Sequence, residues 1–180
     1  MYASSILREE HRVIERVLNV LRRVLSIIER GEIPIDVIDK CIDFVKVFVD
    51  RCHHGKEENV FFPVLEAKGI PREGGPIGVM LLEHEQGRSY IKTLSEAINL
   101  HRKGMNVKNI IYENITNYIN LLTQHIQKED NILFPMGDSV LRLEENDEVI
   151  DGFERIERER MGYGKHEEYI KLVEKIEHEV

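Results

Sequence analysis

Apolar residues recur at steps of three and four along most of the chain, which is the spacing of one face of an α-helix. The first such stripe covers residues 6–28, and Gly31 follows it as a helix-ending residue. Three further stripes predict helices over about 34–67, 78–102 and 107–134. The pattern therefore predicts four long amphipathic helices.

The segments between these stripes are short and rich in glycine and proline. Residues 69–78 read GIPREGGPIG, which forbids a continuous helix, and Gly104 separates the third helix from the fourth. Hairpin dipeptides and sustained alternation are absent, so strands are not expected. Four long helices with short connections predict an all-α fold, an antiparallel up-down-up-down four-helix bundle.

The composition changes beyond Pro135. The following residues are strongly acidic and predict a short helix around 149–156, a hinge at 161–164 and a final helix over 165–177. We therefore expect two units, a bundle over residues 1–136 and an acidic helical C-terminal extension over 137–180 that packs on it.

Charge and cysteine content narrow the class of protein. The 180 residues carry a net charge of -8, which gives no electrostatic footprint for nucleic acid or for an anionic membrane. Cys41 and Cys52 are too few for a disulfide framework or a thiolate cage, and we expect both to be small buried hydrophobes. Without a signal sequence or a membrane span, a cytoplasmic protein is expected. The oligomeric state is left open.

Two segments of the chain repeat each other. HHGKEENVFFP, at the end of the second helix, aligns with HIQKEDNILFP, at the end of the fourth, 72 residues later. The alignment pairs His53 with His125 and Glu57 with Glu129. Residues four apart lie on one helix face, so each His–Glu pair can reach one metal ion or two neighbouring ions.

A further histidine precedes each repeat by one helix. His11 lies 42 residues before His53, and His84 lies 41 residues before His125; each follows acidic residues, in REEH and LLEH. Four imidazoles and two carboxylates without thiolate favour iron or manganese, with zinc as an alternative. Two shared carboxylates are natural bridges between two ions, which leaves open positions for dioxygen, peroxide or nitric oxide. Ferritin-type bundles use Glu-x-x-His instead, and that motif is absent.

At these residues, over about 4–136, the sequence resembles the hemerythrin-like family, also called the HHE cation-binding domain. The resemblance implies a non-haem di-iron centre, with terminal histidines and bridging glutamates as its ligands: His11, His53, His84, His125, Glu57 and Glu129. Oxygen carriers have a fifth histidine four residues from the third-helix ligand, where this chain has Met80 and Arg88. Their second bridge is an Asp five residues after its His, whereas Glu129 is four after His125. The sequence is therefore closer to the four-His, two-Glu branch of sensing, repair and peroxidase-like proteins.

Several neighbouring residues have two interpretations. His54 is expected to lie behind the ligands or at the surface rather than on the metal, because adjacent α-helical residues point about 100° apart. Tyr118 is expected in the core, and Glu15 either orients His11 or is solvated. His101, His166 and His178 are expected at the surface or as satisfied core residues.

The leading hypothesis is a di-iron protein that binds or reacts with dioxygen, peroxide or nitric oxide. Whether it is an enzyme is left open, with peroxidase- or catalase-like turnover as one form. The alternative is an iron or oxygen sensor, or a metal store without catalysis, that signals through the C-terminal extension.

Overall fold

The computed structural model describes residues 1–180 and contains helices and no strands. Its six helices are α1 (Ala3–Glu29), α2 (35–67), α3 (Pro76–Arg102), α4 (108–140), α5 (Leu143–Arg160) and α6 (Lys165–Glu177). The all-α prediction is confirmed. Helices α1 to α4 form the bundle, and their short connections make sequential neighbours antiparallel.

Two helix ends differ from the predicted ones. Helix α4 continues to Val140, past the predicted end at Phe134, because Pro135 occupies the first turn of its last α-helical segment. Helix α5 begins at Leu143, six residues before the predicted start, and Glu145 caps it through its contacts with Arg142.

Helices α2 and α4 contain π-helical segments, in which the backbone turn is wider than in an α-helix. These are Val45–His54 and Glu57–Phe61 in α2, and Glu129–Leu133 in α4. The second and third of them occupy equivalent positions of the 72-residue repeat, directly before the two Phe-Pro pairs. A proline ring clashes with the carbonyl group four residues earlier, and the wider turn moves that carbonyl away.

The asparagine of each repeat makes the same contact with the backbone at these segments. Asn59 Nδ2 donates to the carbonyl oxygen of Gly55 at 3.0 Å, and Asn131 Nδ2 donates to that of Gln127 at 2.8 Å. Each amide thus contacts a carbonyl group four residues earlier, beside the point where the π-helical turn begins. The repeated motif therefore encodes a repeated backbone irregularity.

Two hydrophobic clusters fill the bundle, one toward each end. The larger has 28 buried residues, from Ile14 to Ile176, and the smaller has 12, centred on Phe61, Phe62 and Phe134. The six candidate ligands lie between the two clusters.

The C-terminal helices cover the face formed by α1 and α2. Val149 and Phe153 of α5 belong to the smaller cluster, and Val173 and Ile176 of α6 belong to the larger. Helix α3 packs closely on α4 and only sparsely on α2. None of the helices is both long and apolar enough to cross a membrane.

Candidate metal centre

The structure brings the six predicted ligands to one buried point. None of them is more than 2% exposed: His11, His53, Glu57, His84, His125 and Glu129. The four helices of the bundle each contribute at least one of these side chains. Metal binding by these residues is a prediction, and their geometry shows whether it is chemically reasonable.

The imidazoles form two pairs. The ring centroids of His11 and His53 lie 4.7 Å apart, and those of His84 and His125 lie 4.9 Å apart. Within the second pair the two Nε2 atoms are 3.2 Å apart. Each pair combines one histidine from each of two different helices, so the two halves of the sequence repeat both contribute to the centre.

The two glutamates lie between the imidazole pairs. Glu57 Oε1 is 3.4 Å from Nε2 of His53, and its Oε2 is 3.3 Å from Nε2 of His84. Glu129 Oε2 is 3.2 Å from Nε2 of His11 and 3.3 Å from Nε2 of His125. Each carboxylate therefore contacts one imidazole of each pair, as a carboxylate bridging two ions would.

These side chains are not satisfied by hydrogen bonds. Both oxygens of Glu57, both oxygens of Glu129 and Nε2 of His11 are buried without a partner. Leaving such groups unpaired in a core is costly, so native proteins rarely do so. The candidate donors form two sets of four, and within each set the donor atoms all lie within 4.8 Å of one another. Glu57 belongs to both sets. The nitrogen and oxygen donors thus fit two divalent metal ions.

A carboxylate holds the outer nitrogen of each imidazole. The four contacts, all at Nδ1, are His11 to Asp130 at 2.7 Å, His53 to Glu10 at 2.8 Å, His84 to Glu58 at 2.7 Å and His125 to Glu83 at 2.9 Å. An ionised carboxylate only accepts, so Nδ1 donates its proton and Nε2 is left to face the centre. Sequence reasoning missed these four residues, although each is directly next to a candidate ligand.

Glu15 does not orient His11. Asp130 takes that position, and Glu15 instead pairs with the exposed Arg12 at 2.9 Å. The solvated interpretation of Glu15 is therefore the one that the structure supports.

Burial and the neighbouring charges shift the pKa values of the centre in opposite directions. Burial lowers the pKa of His53 to about 4, which favours the neutral imidazole that a metal ion needs. Burial alone would lower the pKa of His125, but Glu129 and Glu83 raise it to about 9. Burial and the charge of Glu129 raise the pKa of Glu57 well above its usual range. Burial would also raise the pKa of Glu129, but His125 and His11 hold it well below that range.

The comparison with known families agrees with this geometry. The family model described as "Hemerythrin HHE cation binding domain" matches residues 3–137. The chain belongs to this hemerythrin family. The match begins with α1 and ends within α4, so it covers the bundle and all six candidate ligands.

The similar curated proteins are named "Iron-sulfur cluster repair protein YtfE". That of Musicola paradisiaca (strain Ech703) is 35% identical over 86 residues, which are 46% of this chain and 39% of that protein. Those of Dickeya chrysanthemi (strain Ech1591) and Yersinia pestis (strain Pestoides F) are 34% and 33% identical over the same length. The chain thus matches about two fifths of the length of these relatives.

Of the two predicted positions, His54 takes the one behind the ligands. It is 5% exposed, and its ring stacks on that of His84 with the centroids 3.7 Å apart. Both ring nitrogens lack a partner, and one of them belongs to a set of four donors with Glu57, His84 and His125. The prediction assumed α-helical geometry, whereas His54 ends a π-helical segment, in which different residues share a face.

The two positions where hemerythrin oxygen carriers have a fifth histidine serve other roles here. Met80 is buried in the smaller hydrophobic cluster. Arg88 donates to Glu58 at 2.7 Å and to Asp50 at 2.6 Å, so it holds the carboxylate that orients His84. In this hemerythrin-family chain, the additional histidine near the centre is His54, from α2.

A lysine is associated with two of the outer carboxylates. Lys128 contacts Glu83, and the equivalent Lys56 contacts Glu10; Lys56 also donates to Glu157 of α5 at 2.9 Å. Glu10 and Glu157 form a third acidic cluster together with His166, but the Lys56 ammonium already supplies its positive charge.

The remaining neighbours are core residues. Tyr118 is 2% exposed, as predicted, and its hydroxyl group has no partner. Cys41 and Cys52 are buried free thiols, and burial raises the pKa of each to about 12, so both are unreactive.

Proposed function

We propose that this chain is a non-haem di-iron protein whose centre binds or reacts with a small ligand, which is dioxygen, peroxide or nitric oxide. The observation that carries the proposal is the position of Glu57 and Glu129. Each carboxylate lies between the two imidazole pairs, with oxygens that no hydrogen bond satisfies. Two metal ions bridged by these groups would account for both features.

The residues divide between two metal positions. His11 and His53 would hold the first ion, His84 and His125 the second, and Glu57 and Glu129 would bridge them. The names of the relatives support iron as the metal, while the donor set alone would also accept manganese or zinc. Iron at this site would supply electrons to an oxidising ligand or bind nitric oxide.

The protein's part is to fix the donors and to keep water out. The four outer carboxylates hold each imidazole ring in one orientation. Phe134 stacks on His11 at 5.4 Å, and Phe62 stacks on His84 at 6.1 Å. These rings make the surroundings of the centre apolar, which excludes bulk water from it.

Metal content tests the proposal directly. We expect two irons per chain after anaerobic ferrous loading and desalting, and loss of both in the His53→Ala/His125→Ala double variant. His101→Ala, at a partly exposed position away from the centre, is the matched control and should keep both irons. Near-zero iron in the unmodified protein would overturn the proposal.

Reactivity is tested separately. If the protein is catalytic, its iron-loaded form should consume peroxide steadily, and faster than the same concentration of free ferrous iron does. Consumption at the rate of free iron would reject the catalytic form and leave ligand binding alone.

A second candidate function is a sensor or a metal store that signals through the C-terminal extension. The observation that favours it is the continuous chain of contacts from His53 through Glu10 and Lys56 to Glu157 of α5. Iron at His53 would then bias the packing of α5. The expected result is that iron loading protects the 161–164 linker from protease, and that a Lys56→Met variant loses this protection. Identical digestion with and without iron would reject the sensor.

A further inference from the structure

A groove runs between α2 and α3 toward the centre. Its cavity has a volume of about 450 Å³, and its inner end is lined by His54 and Tyr118. Along α2 it follows Lys46, Asp50 and His54, at steps of four residues. The cavity is therefore much larger than a diatomic ligand requires.

The sequence repeat explains why this seam is open. The repeat relates the α2–α3 seam to the α4–α1 seam, which is closely packed. Three large buried residues of the closed seam have smaller or polar counterparts in the open one: Ile14, Leu122 and Ile126 correspond to Gly87, Asp50 and His54. The apolar volume that closes one seam is thus missing from the other, at the positions that line the groove.

Unpartnered polar atoms lie at the inner end of the groove. The Tyr118 hydroxyl and Nε2 of His54 are buried without hydrogen bonds, and Nδ1 of His54 has only the Asp50 carboxylate nearby, at 3.5 Å. Burial also raises the pKa of Tyr118, so its hydroxyl keeps its proton and can donate. Buried polar groups of this kind require a partner, and a polar ligand atom would supply it.

Positive charge lies farther out along the groove. Lys46 contacts only Ser95, at 3.3 Å, and Lys92 has no carboxylate within ion-pair distance. Glu96 also lines the groove and can neutralise one of the two ammonium groups, which leaves the other available. Val45 and Ile91 supply apolar contacts between the two ends. From its outer end to its inner end, the groove is therefore lined first by cationic groups, then by apolar side chains and finally by groups that can form hydrogen bonds.

We propose that this groove binds a small, elongated organic acid. Its carboxylate pairs with the one ammonium group, of Lys46 or Lys92, that Glu96 leaves available. Its apolar body lies against Val45 and Ile91, and its polar tip reaches Tyr118 and His54. The proposal rests on the proposed function in one respect, because the tip then lies beside the second metal position, within reach of His84. The volume is within the range of sites for small organic molecules.

Direct binding of 4-hydroxycinnamate to the full chain, metal-free and iron-loaded, tests the proposal by calorimetry. We expect one saturable site per chain. Two comparison compounds each lack one feature: 4-methylcinnamate lacks the polar tip, and 4-hydroxycinnamamide lacks the charge. Each should bind about tenfold more weakly, since each loses one hydrogen bond or charge contact.

Two variants locate the site. Gly87→Leu should fill the groove as Ile14 fills the other seam, because a Cβ atom at Gly87 meets only ordinary contacts of 3.6 to 3.7 Å. Lys46→Gln/Lys92→Gln removes the charge without adding volume, so it remains informative if Gly87→Leu folds poorly. Both should weaken binding of 4-hydroxycinnamate at least about tenfold. Lys103→Gln, at an exposed position outside the groove, is the control.

The outcomes separate this proposal from the di-iron proposal. No saturable binding, or binding unaffected by both variants, overturns the groove assignment even if two irons are present. Near-zero iron in the unmodified protein, together with saturable binding of 4-hydroxycinnamate that both variants weaken, counts against the di-iron proposal and supports the groove.

Discussion

Each candidate imidazole is held by a carboxylate that lies next to a candidate ligand in sequence. Glu83 precedes His84, for example, yet it accepts a hydrogen bond from Nδ1 of His125 on the neighbouring helix. This crossed arrangement ties α3 to α4 at the centre. The orienting residue should therefore matter for metal affinity even though it touches no metal position.

Replacing Glu83 tests this contact. Glu83→Gln should weaken iron binding about 10- to 100-fold, because the amide is a poorer acceptor and fixes the His125 ring less firmly. Competition against a ferrous chelator measures the change. Glu9→Gln is the control, since Glu9 lies two residues from a candidate ligand on the same kind of helix but is exposed. Equal affinities in both variants would show that the Nδ1 contact does not support the site.

The sequence predicted the six candidate ligands but not the residues that orient them. The His–Glu pairs were visible because four-residue spacing and a 72-residue repeat are properties of the chain alone. Which carboxylate faces which imidazole depends on how two helices are placed side by side. The local sequence contained the signal, in REEH and KEEN, but not the partner.

At the scale of helices, periodicity predicted the four bundle helices and their loops but not their π-helical segments. Those segments depend on the balance between a proline clash, the asparagine bond to a backbone carbonyl and the demand of the buried centre. One consequence is that His54 lies beside His84, with the ring centroids 3.7 Å apart. Whether His54 binds metal stays a prediction.

Two helix-interior glycines with opposite surroundings test helix packing. A Cβ atom at Gly87 of α3 would meet side chains at 3.6 Å or more, whereas at Gly152 of α5 it would meet Val60 Cγ1 at 2.6 Å. Gly87→Ala should stabilise the fold by about 1 kcal/mol through helix propensity. Gly152→Ala gains the same stabilisation from helix propensity, but the overpacking against Val60 destabilises the fold by about 1–3 kcal/mol.

Urea denaturation measures both effects. We expect the two variants to differ by about 2 kcal/mol in the free energy of unfolding, with Gly152→Ala the less stable. Equal stabilities would mean that α5 does not pack as tightly on Val60 of α2 as the structure indicates. The domain boundary near residue 136 stays a prediction, and this experiment bears on how firmly the extension is attached.

At the scale of the whole molecule, the extension breaks the symmetry of the two halves. Lys56 is 1% exposed beneath α5, whereas the equivalent Lys128 has no such cover and its side chain is 36% exposed. One orienting carboxylate, Glu10, is therefore linked to the extension, and its counterpart Glu83 is not. The polar link between the candidate metal centre and α5 therefore runs through this half.

The pH dependence of stability tests this link, which joins Glu157 to Lys56 and to His166. The hydrogen bond with His166 and the charge of Lys56 both lower the pKa of Glu157, and partial burial opposes them. The result is a pKa of about 2. The Glu157 contact also raises the pKa of His166. A carboxyl group with a lowered pKa stabilises the fold above its unfolded value of about 4.5 and loses this contribution as the pH falls. A histidine with a raised pKa contributes below about 6.5 and loses its contribution as the pH rises.

The two contributions overlap between about pH 4.5 and 6.5. In that window Glu157→Gln should lower the free energy of unfolding of the metal-free protein by about 1 kcal/mol, a value reduced for the partial exposure of the pair. The difference in unfolding free energy between the variant and the unmodified protein should shrink toward pH 3, because Glu157 of the unmodified protein then becomes protonated more often. Toward pH 8 the difference should fall only partly, because Lys56 still pairs with Glu157. Glu154→Gln, an exposed change on the same helix, is the control for urea denaturation across this range. A deficit that is the same at pH 3 and pH 5.5 would mean that Glu157 stabilises the extension by packing and not by its charge, and the contact chain from His53 to α5 would then lose its electrostatic basis.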